Sequence, residues 1–115
     1  MELLVLVLNK LEALEPILEK MLEKGIGGAT ILESTGMMRV LDGDENVDLP
    51  MMGLLRHFYS PERKRSKTMF AVIDESQKQT LMDIIEEATG GLDKPDTGIV
   101  FTLPVSAVEG LDKKQ

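Results

Sequence analysis

The chain holds one histidine, His57, and no cysteine. Thiol nucleophiles, disulfides and zinc–thiolate sites are therefore excluded, and imidazole chemistry would rest on a single residue. No nucleophile–base pair stands out, and the carboxylates are scattered over expected helix faces or a loop, so no catalytic residue is assigned and an enzyme is not expected. Met37, Met38, Met51 and Met52, with His57, offer soft ligands of the kind that suit copper(I). Methionine more commonly fills adaptable interfaces, and no metal ligand is assigned. The fragment Asp42-Gly-Asp-Glu-Asn-Val-Asp48 alternates oxygen ligands like the start of a calcium loop, but Val47 stands where the central glycine is required and Gly53 where the closing glutamate belongs. It reads as a solvated acidic loop. The run Arg63-Lys-Arg65 could meet a phosphate or an acidic partner, although a short basic run is ordinarily a solvated face.

These residues must be positioned by regular elements. Met1 to Leu8 is apolar at nearly every position and predicts a central strand. Leu14, Ile17, Leu18, Met21 and Leu22 recur at helical spacing, predicting an amphipathic helix from near Ala13, with Pro16 tolerated in its first turn. Gly25 is the expected left-handed stop. Ala29 to Ser34 predicts a second strand ending near Gly36. Met37 to Ser66 lacks sustained periodicity and reads as a long loop, acidic first and basic later, with an apolar stretch at Pro50 to Tyr59 able to form a short helix or to dock. Lys67 to Ile73 is the third strand. Ser76 and Gln79 have capping-box spacing before a second helix that buries Leu81, Met82, Ile84, Ile85 and Ala88. Thr89-Gly-Gly ends that helix, and Gly98 to Val105 is the fourth strand, with Pro104 placing its end at a sheet edge or outside the sheet.

The order β-α-β-loop-β-α-β predicts an α+β, ferredoxin-like βαββαβ two-layer sandwich with both helices on one side. Its 115 residues suffice for one domain, 1–115. Leu4, Leu6, Leu8, Met69 and Ala71 are too many to point at two small helices, which predicts an apolar face covered by another subunit. A net charge of −7 and few aromatic residues argue against a nucleic-acid partner. The longest apolar run, Leu3 to Leu8, is too short to span a bilayer, and no signal peptide is visible. The expected location is the cytoplasm.

Gly25-Ile-Gly-Gly-Ala-Thr-Ile-Leu-Glu-Ser-Thr-Gly36, followed by Met-Met-Arg39, resembles the segment Gly-Ile-x-Gly-Met-Thr-Val-Thr-Glu-x-x-Gly-Phe-Gly-Arg of the PII nitrogen-regulatory signalling family. Thr89-Gly90 and then Gly98-Ile-Val-Phe-Thr-Leu-Pro-Val105 are similar to that family's Thr-Gly … Gly-Lys-Ile-Phe-Val-x-Pro-Val. The resemblance covers most of the chain, with 37–66 lying where the family has its partner-binding T-loop. It implies a homotrimer with sheets packed inward, an adenine nucleotide (ATP, ADP, AMP or a cyclic nucleotide) bound between subunits, and signalling to a protein target such as a transporter or enzyme.

Carried over residue by residue, the resemblance implies nucleotide contacts at Thr30, Gly36, Met37, Arg39, Thr89, Gly90 and Gly98. Small residues expose backbone N–H groups to an anion, and a guanidinium neutralises it. It also implies a partner-binding loop, where Met51, Met52, Leu54, Leu55, Phe58 and Tyr59 supply the apolar contacts. The chain departs from the pattern where the family has lysines, with Gly91 after Thr-Gly and Ile99 before the apolar strand run. Lys94 is the one displaced substitute, and Val40 replaces the glutamine after the arginine. Two alternatives share the fold: a ligand-free interaction scaffold, and a CutA-like, metal-related trimer suggested by the methionines alone.

Overall fold

The computed structural model describes residues 1–42 and 65–111. The first strand, β1, spans Glu2–Leu8. A 3-10 turn at Leu11–Ala13 leads into helix α1, Leu14–Glu23, which places Pro16 in the first turn, where its missing N–H had no partner. Gly25 follows at φ 77°, as expected of a left-handed stop. Strand β2 is Thr30–Ser34, and strand β3 is Ser66–Ile73. A second 3-10 turn at Glu75–Gln77 opens helix α3, Lys78–Thr89, and strand β4 is Gly98–Pro104. Between β2 and β3 lies helix α2, Met37–Asp42, where the sequence predicted only irregular chain. Its six residues are too few to show a period. The expectations for Met51, Met52, Leu54, Leu55, Phe58 and Tyr59 lie outside the described residues.

The strands form one antiparallel sheet in the order β2-β3-β1-β4. Because β3 runs between β1 and β2, and β1 runs between β3 and β4, the two β-α-β units interlock. This α+β architecture is compatible with a ferredoxin-like fold, with α2 added to the simple βαββαβ order. Among the described residues, no helix is long and apolar enough to cross a membrane.

The sheet's two faces can be assigned from register, since directly opposed residues share a face. Leu4 opposes Ala71 and Leu6 opposes Met69. All four are fully buried in the core with Leu8, Ile73, Ala13, Ile17, Met21, Leu81, Ile84 and Ile85. Half-buried Met82 and Ala88 pack against the same cluster. The two helices therefore do accommodate Leu4, Leu6, Leu8, Met69 and Ala71, contrary to the sequence-based expectation. One-sided packing suffices because Ala71 and Ala13 are small and let the larger side chains interdigitate.

A spare apolar face nevertheless exists, built from the opposite parity. Leu3, Val5 and Val7 of β1 stand beside Phe70 and Val72 of β3, with Leu32 of β2 and Ile99, Phe101 and Leu103 of β4. Leu32, Ile99, Phe101 and Leu103 are 48%, 58%, 42% and 48% exposed. Four strands about 4.8 Å apart and about 3.4 Å per residue make a face on the order of 400 Å². An apolar face of that size matches the largest patch of an ordinary monomer, which is often functional.

The entry to α3 also differs from expectation. The capping box joins Asp74 and Gln77 rather than Ser76 and Gln79. The Asp74 N–H donates to Gln77 Oε1 at 3.0 Å, and the Glu75 N–H donates to Asp74 Oδ1 at 3.1 Å. Asp74 is the last residue with extended backbone, at ψ 147°, and that geometry determines where a cap can act. Ser76 instead donates to Asp74, and Gln79 to Asp83.

Candidate anion-binding cleft

At the end of the sheet where β1 and β2 finish and β3 and β4 begin, a cleft of about 380 Å³ opens. One wall comes from the start of α2, with Gly36, Met37 and Arg39. The Gly36 carbonyl accepts from the N–H groups of Arg39 and Val40, both at 3.2 Å, which starts the helix and fixes Arg39 within its first turn. The facing wall is the turn into β4, with Lys94, Asp96 and Gly98. Its position is fixed by the Asn9 and Lys10 N–H groups, which donate to the Thr97 carbonyl at 3.0 and 3.1 Å.

Asp96 has φ 52°, the left-handed region, and is the one non-glycine residue with positive φ among those described. That conformation costs an L-residue roughly 1 kcal/mol, with aspartate and asparagine among the more tolerant types. It aims the carboxylate at Arg39: Asp96 Oδ2 lies 3.6 Å from Arg39 Nη2, with the two side chains only 7% and 12% exposed. Opposite charges at about 4 Å attract by roughly 4 kcal/mol at an effective dielectric near 20, before desolvation is subtracted.

The structure thus brings together four of the residues named from the resemblance: Gly36, Met37, Arg39 and Gly98. Thr30 does not line the cleft. It opposes Phe70 on the open apolar face. Thr89 is fully buried, and its hydroxyl donates to the Ile85 carbonyl at 2.7 Å and accepts from the Gly91 N–H at 3.3 Å. Its side chain closes α3. Gly90, at φ 79°, is the left-handed cap. It lies beside two ammonium groups, since a Cβ there would stand 3.5 Å from Lys94 Nζ and 3.9 Å from Lys10 Nζ. Lys10 Nζ also donates to the Thr89 carbonyl at 2.9 Å, a cation placed favourably at a helix C-terminus. The earlier glycines, Gly25, Gly27 and Gly28, border a separate hollow of about 340 Å³ with Asp74 and Gln77.

Sequence reasoning missed Asp96 and Lys10. Pro95-Asp-Thr-Gly98 is visibly a turn, and aspartate is a residue that tolerates the left-handed region, so a signal for Asp96 was present. Nothing local marks Lys10, whose partner is 79 residues away. Among the described residues, no group of three or more His, Cys, Asp or Glu side chains gathers to hold a metal. The cleft gathers the cations Arg39 and Lys94, the carboxylate of Asp96 and apolar side chains such as Val7, Leu92 and Ile99, and a guanidinium with an ammonium nearby is a pairing able to hold an anion. Comparison with protein-family models and with curated proteins gives no match.

Proposed function

We propose that this chain is a PII-like regulatory protein of the cytoplasm, not an enzyme, that binds a small anionic effector, an adenine nucleotide, and controls a protein target through segment 37–66. The observation that carries the reading is the convergence in one cleft of Gly36, Met37 and Arg39 from α2 with Lys94 and Gly98 from the turn into β4. Arg39 and Gly98 are 59 residues apart in sequence yet line the same cleft, and the resemblance to the PII family assigns both to a nucleotide site. In a chain of net charge −7, Arg39 and Lys94 outnumber Asp96 among the charged residues of this lining, a local excess of positive charge that favours anions there.

The active form is a homotrimer whose open sheet faces pack together. Val7 and Ile99 support this, because they belong to the open face and also line the cleft. A subunit covering that face would form part of the cleft wall. Segment 37–66 begins with α2, so the residue that meets the effector and the start of the partner-binding loop share one short helix. Met51, Met52, Leu54, Leu55, Phe58 and Tyr59 are the proposed contacts to a transporter or enzyme.

A second reading is a scaffold that binds no nucleotide. The Arg39–Asp96 ion pair favours it, since the guanidinium already has a carboxylate beside it. A thermal-shift series with ATP, ADP, AMP, cyclic AMP and cyclic di-AMP, each with and without magnesium, separates the two. The sensor reading expects one nucleotide to raise the melting temperature by several degrees. Saturation at about one hundred times Kd adds about 2.7 kcal/mol per site. The rise should vanish in Arg39→Ala. No rise with any nucleotide, from an intact oligomer, leaves the scaffold.

A further inference from the structure

Resting on the reading of the cleft as an effector site, we infer that Asp96 is a specificity-determining residue: a built-in carboxylate that occupies Arg39 and admits only phosphoryl ligands. The turn into β4 needs a residue at φ 52°, a conformation glycine adopts without strain. Aspartate in its place puts a negative charge inside a cleft whose other charged lining residues are Arg39 and Lys94. That carboxylate is 7% exposed and 3.6 Å from the guanidinium. A carboxylate so withdrawn from water is costly unless a cation stands beside it, and Arg39 supplies that cation.

An incoming anion must therefore compete with a group tethered at the site. Tethering gives Asp96 an effective concentration of millimolar or more. A carboxylate ligand at ordinary concentration exchanges like for like and loses. A phosphoryl group carries up to two negative charges and three acceptor oxygens, and it can engage both the guanidinium fork and the Lys94 ammonium. Asp96 thus sets a threshold that a phosphate ester passes and a simple organic acid does not. The same carboxylate weakens every anion relative to a cleft without it, and this gives the inference a measurable sign.

The test is isothermal titration of the wild type, Asp96→Asn and Arg39→Ala with ATP, ADP and AMP, and with 2-oxoglutarate and citrate as carboxylate probes. Asparagine tolerates the left-handed backbone and nearly matches aspartate in shape. Asp96→Gly is the second neutralising variant, should the amide disturb folding by circular dichroism. The expected result is nucleotide binding at least tenfold tighter in Asp96→Asn than in wild type, measurable carboxylate binding only in the neutralised variants, and loss of both in Arg39→Ala. Nucleotide binding by the neutralised variants alone overturns the inference, because the wild-type threshold would then exclude phosphate esters too. Wild-type binding that is equal in, or weakened by, both neutralising variants overturns it and leaves the effector reading standing. Binding by none of the proteins overturns both.

Discussion

A Cβ on Gly98 would stand 2.6 Å from the Val7 carbonyl oxygen and 3.3 Å from Leu8 Cα, with φ at 154°. Both obstacles are backbone of β1, which cannot rotate away. Gly98→Ala should therefore push β4 from β1, costing about 2 kcal/mol or more. The check is a urea midpoint that falls with an unchanged slope; a midpoint within error of wild type would show that the ladder absorbs the methyl group. At this scale, sequence was a partial guide to the cleft. Gly36, Met37, Arg39 and Gly98 were named only through the resemblance to the PII family, and the structure sets all four on one cleft. Thr89 was misleading because a threonine at a helix end can serve ligand or helix equally well, and here its hydroxyl bonds the Ile85 carbonyl. Asp96 acts through a φ value and a partner 57 residues earlier, neither of which composition records.

The helices α1 and α3 were legible from their three- and four-residue apolar spacing, and their glycine stops from residue type. What spacing could not resolve was the entry to α3, where Asp74-x-x-Gln77 and Ser76-x-x-Gln79 satisfy the same pattern. The backbone decides, because a cap must be the last extended residue. Asp74→Ala removes acceptors for the Glu75 N–H and the Ser76 hydroxyl and should cost about 1 kcal/mol. Ser76→Ala should cost less. Thermal melts of the two variants rank them, and the reverse order would return the cap to Ser76.

For the whole molecule, the run Glu2–Leu8 shows why fold class was easier to read than facing. Six of its residues, Leu3 to Leu8, are apolar without interruption, so either parity could have met the helices. The helix side was fixed by pairing with Met69, Ala71 and Ile73, which only three-dimensional register reveals. The same register exposes Phe101 at the open face, opposite Val5. Phe101→Glu should leave the single subunit folded, since that side chain is outside the helix-side core, but should prevent association through the face. Light scattering coupled to size exclusion is expected to give one 12.7 kDa chain for the variant and a multiple of it for the wild type. A variant with the wild-type mass would place the association surface elsewhere.

The pairing of Ser34 with Ser66 has a consequence for how this chain can change. The two residues are opposed in the β2–β3 ladder, and their hydroxyl oxygens lie 2.8 Å apart. The intervening chain thus leaves and re-enters the sheet at one point, whatever its length. Closing such a loop costs entropy that grows only with the logarithm of length, about 0.6 kcal/mol for each doubling. Insertions and deletions between these two serines are therefore nearly neutral for the sheet. Between Asp42 and Ser66 the length of chain can vary at little cost to the sheet, while Gly36, Met37 and Arg39 at the start of the interval stay tied to the cleft.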